Sequence, residues 1–445
     1  MTKTTWTKAA AFAVAALLVT TACSGGSDDT SGSATTTTAK VDPTSVGLWD
    51  DGACDAAKPK LEVGLMATFQ SAVLTAEDQA FALEAAATAF NSRGGANGHC
   101  IHVTTCDEKA DPNTALQCVK TLDQAGVAAT INDATASTPG PEVGDAYKAV
   151  GIPRFATSSA ANSDLSDPNS YPIDAGGLGT TLVMPQGLLD QGIKKIATVR
   201  VDLPNAAALI GLFKGMYGDK GAQFVADIPV TAGTTDYSQF ILSAQKAGAD
   251  GVVLPLGGQE AIQVLRAAQQ LQSKLVFSTS LGTLPYGDLA ALGDFAHQVI
   301  LNGSTPPVTA DVPVLKVLNA DLSASGKDEL QPERLKNTAS KSWIGLYALL
   351  DLLRTAKTED FSRANIKKLI DASGPIDMLG LTANWTPNTT NPGVFGRTGN
   401  GFYAFWKWDP KASYAGKDGN LTKAGEADFN ELICGSPVGA PATTC

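Results

Sequence analysis

The sequence predicts an α/β fold of two doubly wound lobes, each built around a largely parallel sheet. Short apolar runs recur at gaps of 20 to 40 residues with helical stretches between them, the rhythm of strand–helix–strand units. That rhythm starts again near residue 195, which calls for a second sheet. The length, 445 residues of which 44% are hydrophobic, supplies enough apolar mass for two cores.

Taken in order, the first-lobe strands are Leu61 to Met66, Cys100 to Thr105, Val127 to Ile131 and Ile152 to Ala156, and Ile196 to Val201 opens the second set. Between the first two runs, Ala80, Leu83, Ala87 and Phe90 fall on one helical face, with Thr75 placed to cap the helix and Gly94-Gly95 to end it. Asp111 is an N-cap followed by Pro112 at the first helical position, and Ala115, Cys118, Val119 and Leu122 form the apolar stripe before Gly126. In the second half, strands fall at Phe224 to Ile228, Gly251 to Leu256 and Leu275 to Ser278, with helices at Tyr237 to Lys246 and Glu260 to Leu271. Beyond Leu301 the chain turns Pro-rich at Pro306-Pro307 and Pro313, then enters a long helix from Thr338 to Thr355 whose Trp343, Leu346, Tyr347, Leu350 and Leu353 make a core stripe. The aromatic run from Gly401 to Trp408 alternates as a strand does.

Charge narrows the partners. With 33 basic against 44 acidic residues the net is −11, opposite to the basic footprint of a nucleic-acid binder. Residues 1–22 have the layout of a secretory signal: Lys3 and Lys8, an uncharged run from Ala9 to Val19, then small residues to Ala22. Its removal takes away those two lysines and no acid, moving the net charge from −11 to −13. Thr20-Thr21-Ala22-Cys23 resembles a bacterial lipoprotein processing site, with Thr20 in place of the usual leucine, so a lipid on Cys23 is expected. Residues 23–57 then read as a flexible linker from that anchor. No later segment has the roughly 20 apolar residues that a membrane span requires. The other six cysteines, Cys54, Cys100, Cys106, Cys118, Cys434 and Cys445, are an even set in an exported chain and read as three disulfides of open connectivity. No metal site is expected: His99 and His102 beside Cys100 and Cys106 match none of the usual zinc spacings.

Signatures of catalysis are missing from the sequence. Gly177-Leu178-Gly179 lacks the third glycine and the lysine of a phosphate loop, and Ser280 has Gly282 but Ser278 where a nucleophile elbow needs its first glycine. His99, His102 and His297 read as partly exposed sheet-edge residues. Binding is better supported, because ligands of open parallel sheets sit beyond the carboxyl ends of the strands. There the chain places Thr68, Phe69 and Gln70, then Asn132, Asp133, Thr135 and Ser137, then Thr157, Ser158 and Ser159. These small hydroxyls and amides, with helix N-termini beginning among them, suit carboxylate or another anionic oxygen.

From Lys60 to Asp409 the chain resembles the type I periplasmic substrate-binding proteins of ABC importers, in the group of the leucine-, isoleucine- and valine-binding proteins. The resemblance rests on Ala89-Phe90-Asn91-Ser92-Arg93-Gly94-Gly95-Ala96-Asn97-Gly98, on Cys106-Asp107 followed by Asp111-Pro112 and Ala115, on Gly151-Ile152-Pro153, on Asp236-Tyr237-Ser238, and on the run from Gly248 to Val253. It implies two lobes joined by a three-crossing hinge near Asp174, Pro306 and Leu379. Lobe 1 then comprises 58–174 and 307–379, lobe 2 comprises 175–306 and 380–434, and 435–445 is a tail. It also implies closure over a small polar solute, such as an amino acid, amide or carboxylate, that is passed to a membrane permease, with no cofactor. Thr135 falls where the family holds an amino-acid carboxylate, with Ser158 and Ser159 adjacent. Asp202 to Asn205, Leu256 with Gly257, and Ser280 with Leu281 stand on the facing loops. Leu281 takes the place of the family's ammonium-binding glutamate, which leaves Asp133 or Asp202 as the substitutes, and Phe69, Leu256 and Leu281 as apolar cover. The disulfides expected from neighbouring elements are Cys106–Cys118 and Cys54–Cys100, and Cys434–Cys445 is expected to close a tail loop. Two rival readings remain: a ligand-sensing receptor domain signalling to a membrane partner, and an exported hydrolase.

Overall fold

The computed structural model describes residues 41–71, 74–136, 141–158, 162–231, 233–391, 393 and 395–436. The expected signal, Cys23, residues 24–40 of the linker and nearly all of the tail lie outside them. Residues 41–57 are not the flexible linker expected: Pro43–Val46 forms a 3-10 helix, Leu48 is buried in the first core, Trp49 stacks on Phe90 and Cys54 is bonded to Cys100. Two sheets organise the chain. The first contains β1 (Leu61–Ala67), β2 (Ile101–Asp107), β3 (Ala129–Ile131), β4 (Arg154–Phe155) and β5 (Ser170–Tyr171), in the order β2-β1-β3-β4-β5 and parallel throughout. The second contains β6 (Lys195–Val201), β7 (Gln223–Val230), β8 (Gly251–Val253), β9 (Val276–Ser280), β10 (Val299–Gly303), β11 (Phe402–Tyr414) and β12 (Lys417–Asp428). Its order is β12-β11-β10-β9-β8-β6-β7, parallel from β7 to β10 and antiparallel in the last two strands.

Local chemistry explains the helices that pack on these sheets. Asp111 caps the helix Pro112–Gln124 by accepting the Thr114 N–H at 2.7 Å, and Ala115, Cys118, Val119 and Leu122 are all buried. Thr75 does not cap the preceding helix, which runs Glu77–Asn91 behind Ala76 with no side-chain cap. That helix ends at a tight turn where Gly95 has φ +52°, and a Cβ there would meet the His99 carbonyl oxygen at 2.1 Å. The long helix Asn337–Thr355 is buried on nearly every face from Ala339 to Leu350 rather than along one stripe, as a helix at the centre of a lobe must be. His99 is also inside, at 5% exposure, with Nδ1 2.7 Å from the Pro59 carbonyl and its ring edge-on to Phe361. His102, by contrast, is exposed beside Glu62.

The chain passes between the sheets three times. From β5 it runs through Asp174 into the helix Gly176–Leu189, whose Leu182, Val183 and Leu188 pack with Ile300 and Phe405 of the second sheet. From β10 it returns through Ser304 and Thr305 to the helix Pro313–Ser323, which joins the first core with the long helix and Ile366 and Ile370. Ile376, Met378, Leu381 and Trp385 belong to that core too. The last passage therefore falls beyond Trp385 rather than near Leu379.

One buried carboxylate ties these passages together. Asp174, 2% exposed, accepts the Gly176 N–H at 2.7 Å, the Lys341 ammonium at 2.5 Å and the Ser304 hydroxyl. Its backbone bridges to Asn400, which donates its N–H to the Ile173 carbonyl at 2.6 Å. Burial pushes the Asp174 carboxyl up, but the Lys341 ammonium and the other donors outweigh it and hold the group below the usual carboxylate range. Asn337 adds bonds from Nδ2 to the Thr305 hydroxyl at 2.9 Å and the Pro306 carbonyl at 2.7 Å.

Candidate functional site

The carboxyl ends of the first-lobe strands are stitched into one rim. The Thr68 N–H donates to the Ala134 carbonyl at 2.9 Å, the Ala134 N–H to the Met66 carbonyl at 3.1 Å, and the Ser158 N–H to the Asp133 carbonyl at 3.0 Å. Thr68, Asn132, Asp133, Thr135, Thr157 and Ser158 are thereby brought together, all at 9% exposure or less. Phe69 is half-buried beside them, its N–H donating to Asp107 Oδ1 at 3.0 Å. Ser137 and Ser159 lie outside the described residues.

Most of these side chains bond within their own lobe. Thr68 donates its hydroxyl to Glu108 and accepts the Ala136 N–H at 2.8 Å. The Thr157 hydroxyl donates to the Arg154 carbonyl at 3.1 Å and accepts from Ser170 at 3.2 Å. Asp133 does not face outward as an ammonium partner: its oxygens accept the Met66 N–H at 2.9 Å and the Thr130 hydroxyl at 2.7 Å, with Arg154 Nε at 3.6 Å. Burial raises its pKa despite that guanidinium. The sequence could not show this, because the direction of one loop side chain is set by the backbone, and Asn132 just before it has φ +59°.

In the second lobe, Leu281 and Leu256 are core residues at 2% and 7% exposure, packed with Leu254, Phe277 and Leu301 rather than offered as cover for a solute. A strand-end leucine next to a sheet buries inward because apolar area leaves water there. Ser280 is half-buried and accepts the Gly282 N–H at 3.0 Å, and Gly257 precedes the helix Gly258–Gln270 in extended conformation. Asp202 is exposed at the end of β6. Asn205 lies in the short helix Pro204–Ala207.

Thr338, which the sequence places only at a helix start, is where the two rims meet. Its carbonyl accepts Asn132 Nδ2 at 3.1 Å from beyond β3, while a Cβ on Gly282, beyond β9, would lie 2.7 Å from its Cγ2. Asn132 also donates to Ser342 Oγ at 2.8 Å, and its Oδ1 is buried without a partner. Glu108 is the second residue the sequence did not single out: fully buried, it takes the Thr68 hydroxyl and the Ala136 N–H on Oε1 and leaves Oε2 without a partner. Among the described residues no group of histidine, cysteine or acidic side chains is arranged to hold a metal ion, and no helix is long and apolar enough to cross a membrane.

Cys54 is bonded to Cys100 and Cys106 to Cys118, the pairs expected from neighbouring elements. Cys434 is disulfide-bonded as well; Cys445, its expected partner, lies outside the described residues.

Comparison with known proteins adds the context. A family model described as periplasmic binding protein matches residues 60–397. A fatty acid ABC transporter substrate-binding protein from Thermomonospora curvata superposes with a TM-score of 0.66 at 16% identity, over 86% of this chain and 96% of that one. An R. palustris solute-binding protein in complex with 4-hydroxybenzoate gives 0.65 at 14% identity, over 83% and 97%. A leucine-, isoleucine-, valine-, threonine- and alanine-binding protein from Brucella ovis, in closed conformation, gives 0.64 at 15%, over 87% and 99%. Among curated proteins there is no match.

Proposed function

The chain belongs to the periplasmic binding protein family, and we propose that it is the extracytoplasmic solute receptor of an ABC importer. In this reading residues 1–22 direct export, a lipid on Cys23 holds the protein at the outer face of the cytoplasmic membrane, and the closed, loaded form docks on a membrane permease. The observation that carries it is the meeting of both rims at Thr338, with Asn132 on one side and Gly282 on the other. A solute gripped there contacts both lobes, so its binding energy is available to favour the closed shape over the open one.

The chemistry of the rims favours a solute with a carboxylate or hydroxyl and no ammonium group. Of the two expected counter-charges, Asp133 is bonded inside its lobe and Asp202 stands exposed at the end of β6, while Leu281, in the place of the family's glutamate, is core. Desolvating an ammonium with no carboxylate facing it costs several kcal/mol. Asn132 Oδ1, buried and without a partner, is an acceptor for a solute hydroxyl. The family's structural neighbours that hold 4-hydroxybenzoate or are named for fatty acids fit that chemistry.

A thermal-shift and calorimetric panel tests the reading, because a ligand that binds only the folded chain raises its melting temperature. Hydroxybenzoates and other carboxylic acids are expected to stabilise it, to be recovered intact after denaturation, and to outperform leucine or alanine. Stabilisation by amino acids alone overturns the solute class. Recovery of a chemically altered compound overturns the receptor reading itself.

A further inference from the structure

A recess of about 520 Å³ opens between the helix Arg363–Ala372 and the loop that leads out of the first lobe, and none of the strand-end residues above lines it. Its walls include Ser166, Lys367, Asp371, Asn388, Gly396 and Arg397. Arg397 is 5% exposed, donating from Nε to the Ser170 carbonyl at 3.0 Å and from Nη1 to Asn388 Oδ1 at 2.9 Å, while Nη2 is buried with no partner. Its guanidinium sits 4.9 Å from the centre of the Tyr171 ring and Lys367 Nζ sits 5.3 Å from the same centre, which keeps the two cations within about 10 Å of each other.

We propose that this recess is a second binding site, for a small oxyanion, with Arg397 as the anchoring donor and Lys367 as the supporting cation. The neighbouring acids do not fill the role. Asp371 is already engaged on both oxygens, by the Tyr171 hydroxyl at 2.6 Å and by Lys367 at 2.8 Å. Asp167 accepts the Asn169 N–H on Oδ1, and its Oδ2, buried without a partner near Gly144, makes no bond to Arg397 and does not line the recess. The unfilled capacity of the wall is therefore a charged donor, and a buried charged donor without an acceptor is unfavourable until an acceptor arrives. Burial holds the Arg397 guanidinium below its ordinary pKa, with Tyr171, Asp371 and Asp167 pulling the other way. A planar guanidinium fork beside a second cation matches phosphate or carboxylate oxygens better than a neutral carbonyl.

Inorganic phosphate and sodium sulfate, oxyanions outside the carboxylate class proposed for the cleft, are the probes, each titrated into the full chain by calorimetry, with ³¹P line broadening for phosphate. Binding of either by the wild type is expected, weakened at least tenfold in Lys367→Met and in Arg397→Gln, and partly restored in Arg397→Lys. Because Arg397→Gln removes bonds to the backbone, Lys367→Met, at a residue 39% exposed, is the variant that decides if the former does not fold. Gly282→Leu, at the meeting of the rims, is expected to leave this binding unchanged. Absence of binding for both anions at 10 mM, unchanged affinity in Lys367→Met, or equal loss in Gly282→Leu overturns the proposal.

Discussion

Replacing Lys341 by methionine removes the one cation among the described residues that pairs with the carboxylate joining the three passages, while keeping the length and apolar body of the side chain. In the wild type Asp174 and Lys341 have side-chain exposures of 2% and 10% and a separation of 2.5 Å. Breaking a buried pair by deleting one partner costs about 3–5 kcal/mol, because the survivor keeps its desolvation penalty. With a specific unfolding entropy of about 2 cal/mol/K per residue over roughly 400 residues, that corresponds to a drop in melting temperature of about 4–6 °C. The sign of the pH dependence follows from the depressed pKa of Asp174. Its stabilising contribution is present above the unfolded carboxyl value, about 3.9, and is lost as the pH falls through the still lower folded value. In Lys341→Met burial is left opposed by the Ser304 hydroxyl and the Gly176 N–H, and the Asp174 pKa is expected to rise above the unfolded value. The variant is then penalised most at neutral pH, so the gap to wild type narrows on acidification. Thermal unfolding at pH 7 and pH 4, together with the double variant Asp174→Asn, Lys341→Met, checks each step. The double variant should recover much of the loss. A single-variant loss under about 1 kcal/mol, or a gap that widens on acidification, would refute the reasoning.

Three other outcomes are expected. Gly282→Leu sets a Cβ 2.7 Å from Thr338 Cγ2, so Thr338 must shift; the variant should unfold below the wild-type temperature and bind the cleft solute at least tenfold more weakly by calorimetry at a temperature where it is folded. Gly95→Ala combines a positive φ with contact on the His99 carbonyl, and should lower stability in urea by at least about 1–2 kcal/mol. Opening Cys54–Cys100, which spans 46 residues, should cost more than opening Cys106–Cys118, which spans 12: about 4 against about 3 kcal/mol by loop entropy, read from denaturation of the paired serine variants.

The elements with strong local signals were legible in the sequence. The Asp111-Pro112 start, the stripe Ala115, Cys118, Val119 and Leu122, and the strand Leu61–Ala67 are written in caps and apolar runs that a few neighbouring residues decide. β5, two residues long, carries no periodicity to detect, and the helix Gly176–Leu189 hides behind its glycines and the internal Pro185. β12 alternates small and charged residues and is a strand only because β11 pairs with it. At the site the sequence placed the right loops but not the directions of their side chains. Asp133 turns under the sheet toward Met66 and Arg154, and Leu281 joins the core, because those contacts depend on chain segments far away. Thr338 was invisible for the same reason: its partners lie 206 residues before it, in Asn132, and at Gly282, in the turn beyond β9.

The threefold passage of the backbone has a consequence for biosynthesis. The first sheet is finished by Tyr171, yet its core waits for Trp343, Leu346 and Ile366, made only after ten of the twelve strands of the described residues. The second sheet waits in turn for Phe405 and Leu421, which arrive near the end of synthesis. Neither half can mature from a growing nascent chain, so a fragment ending at residue 311 is expected to show no slowly exchanging amides. Wiring of this kind keeps a polypeptide threadable until its last segments emerge, as the export proposed above would require.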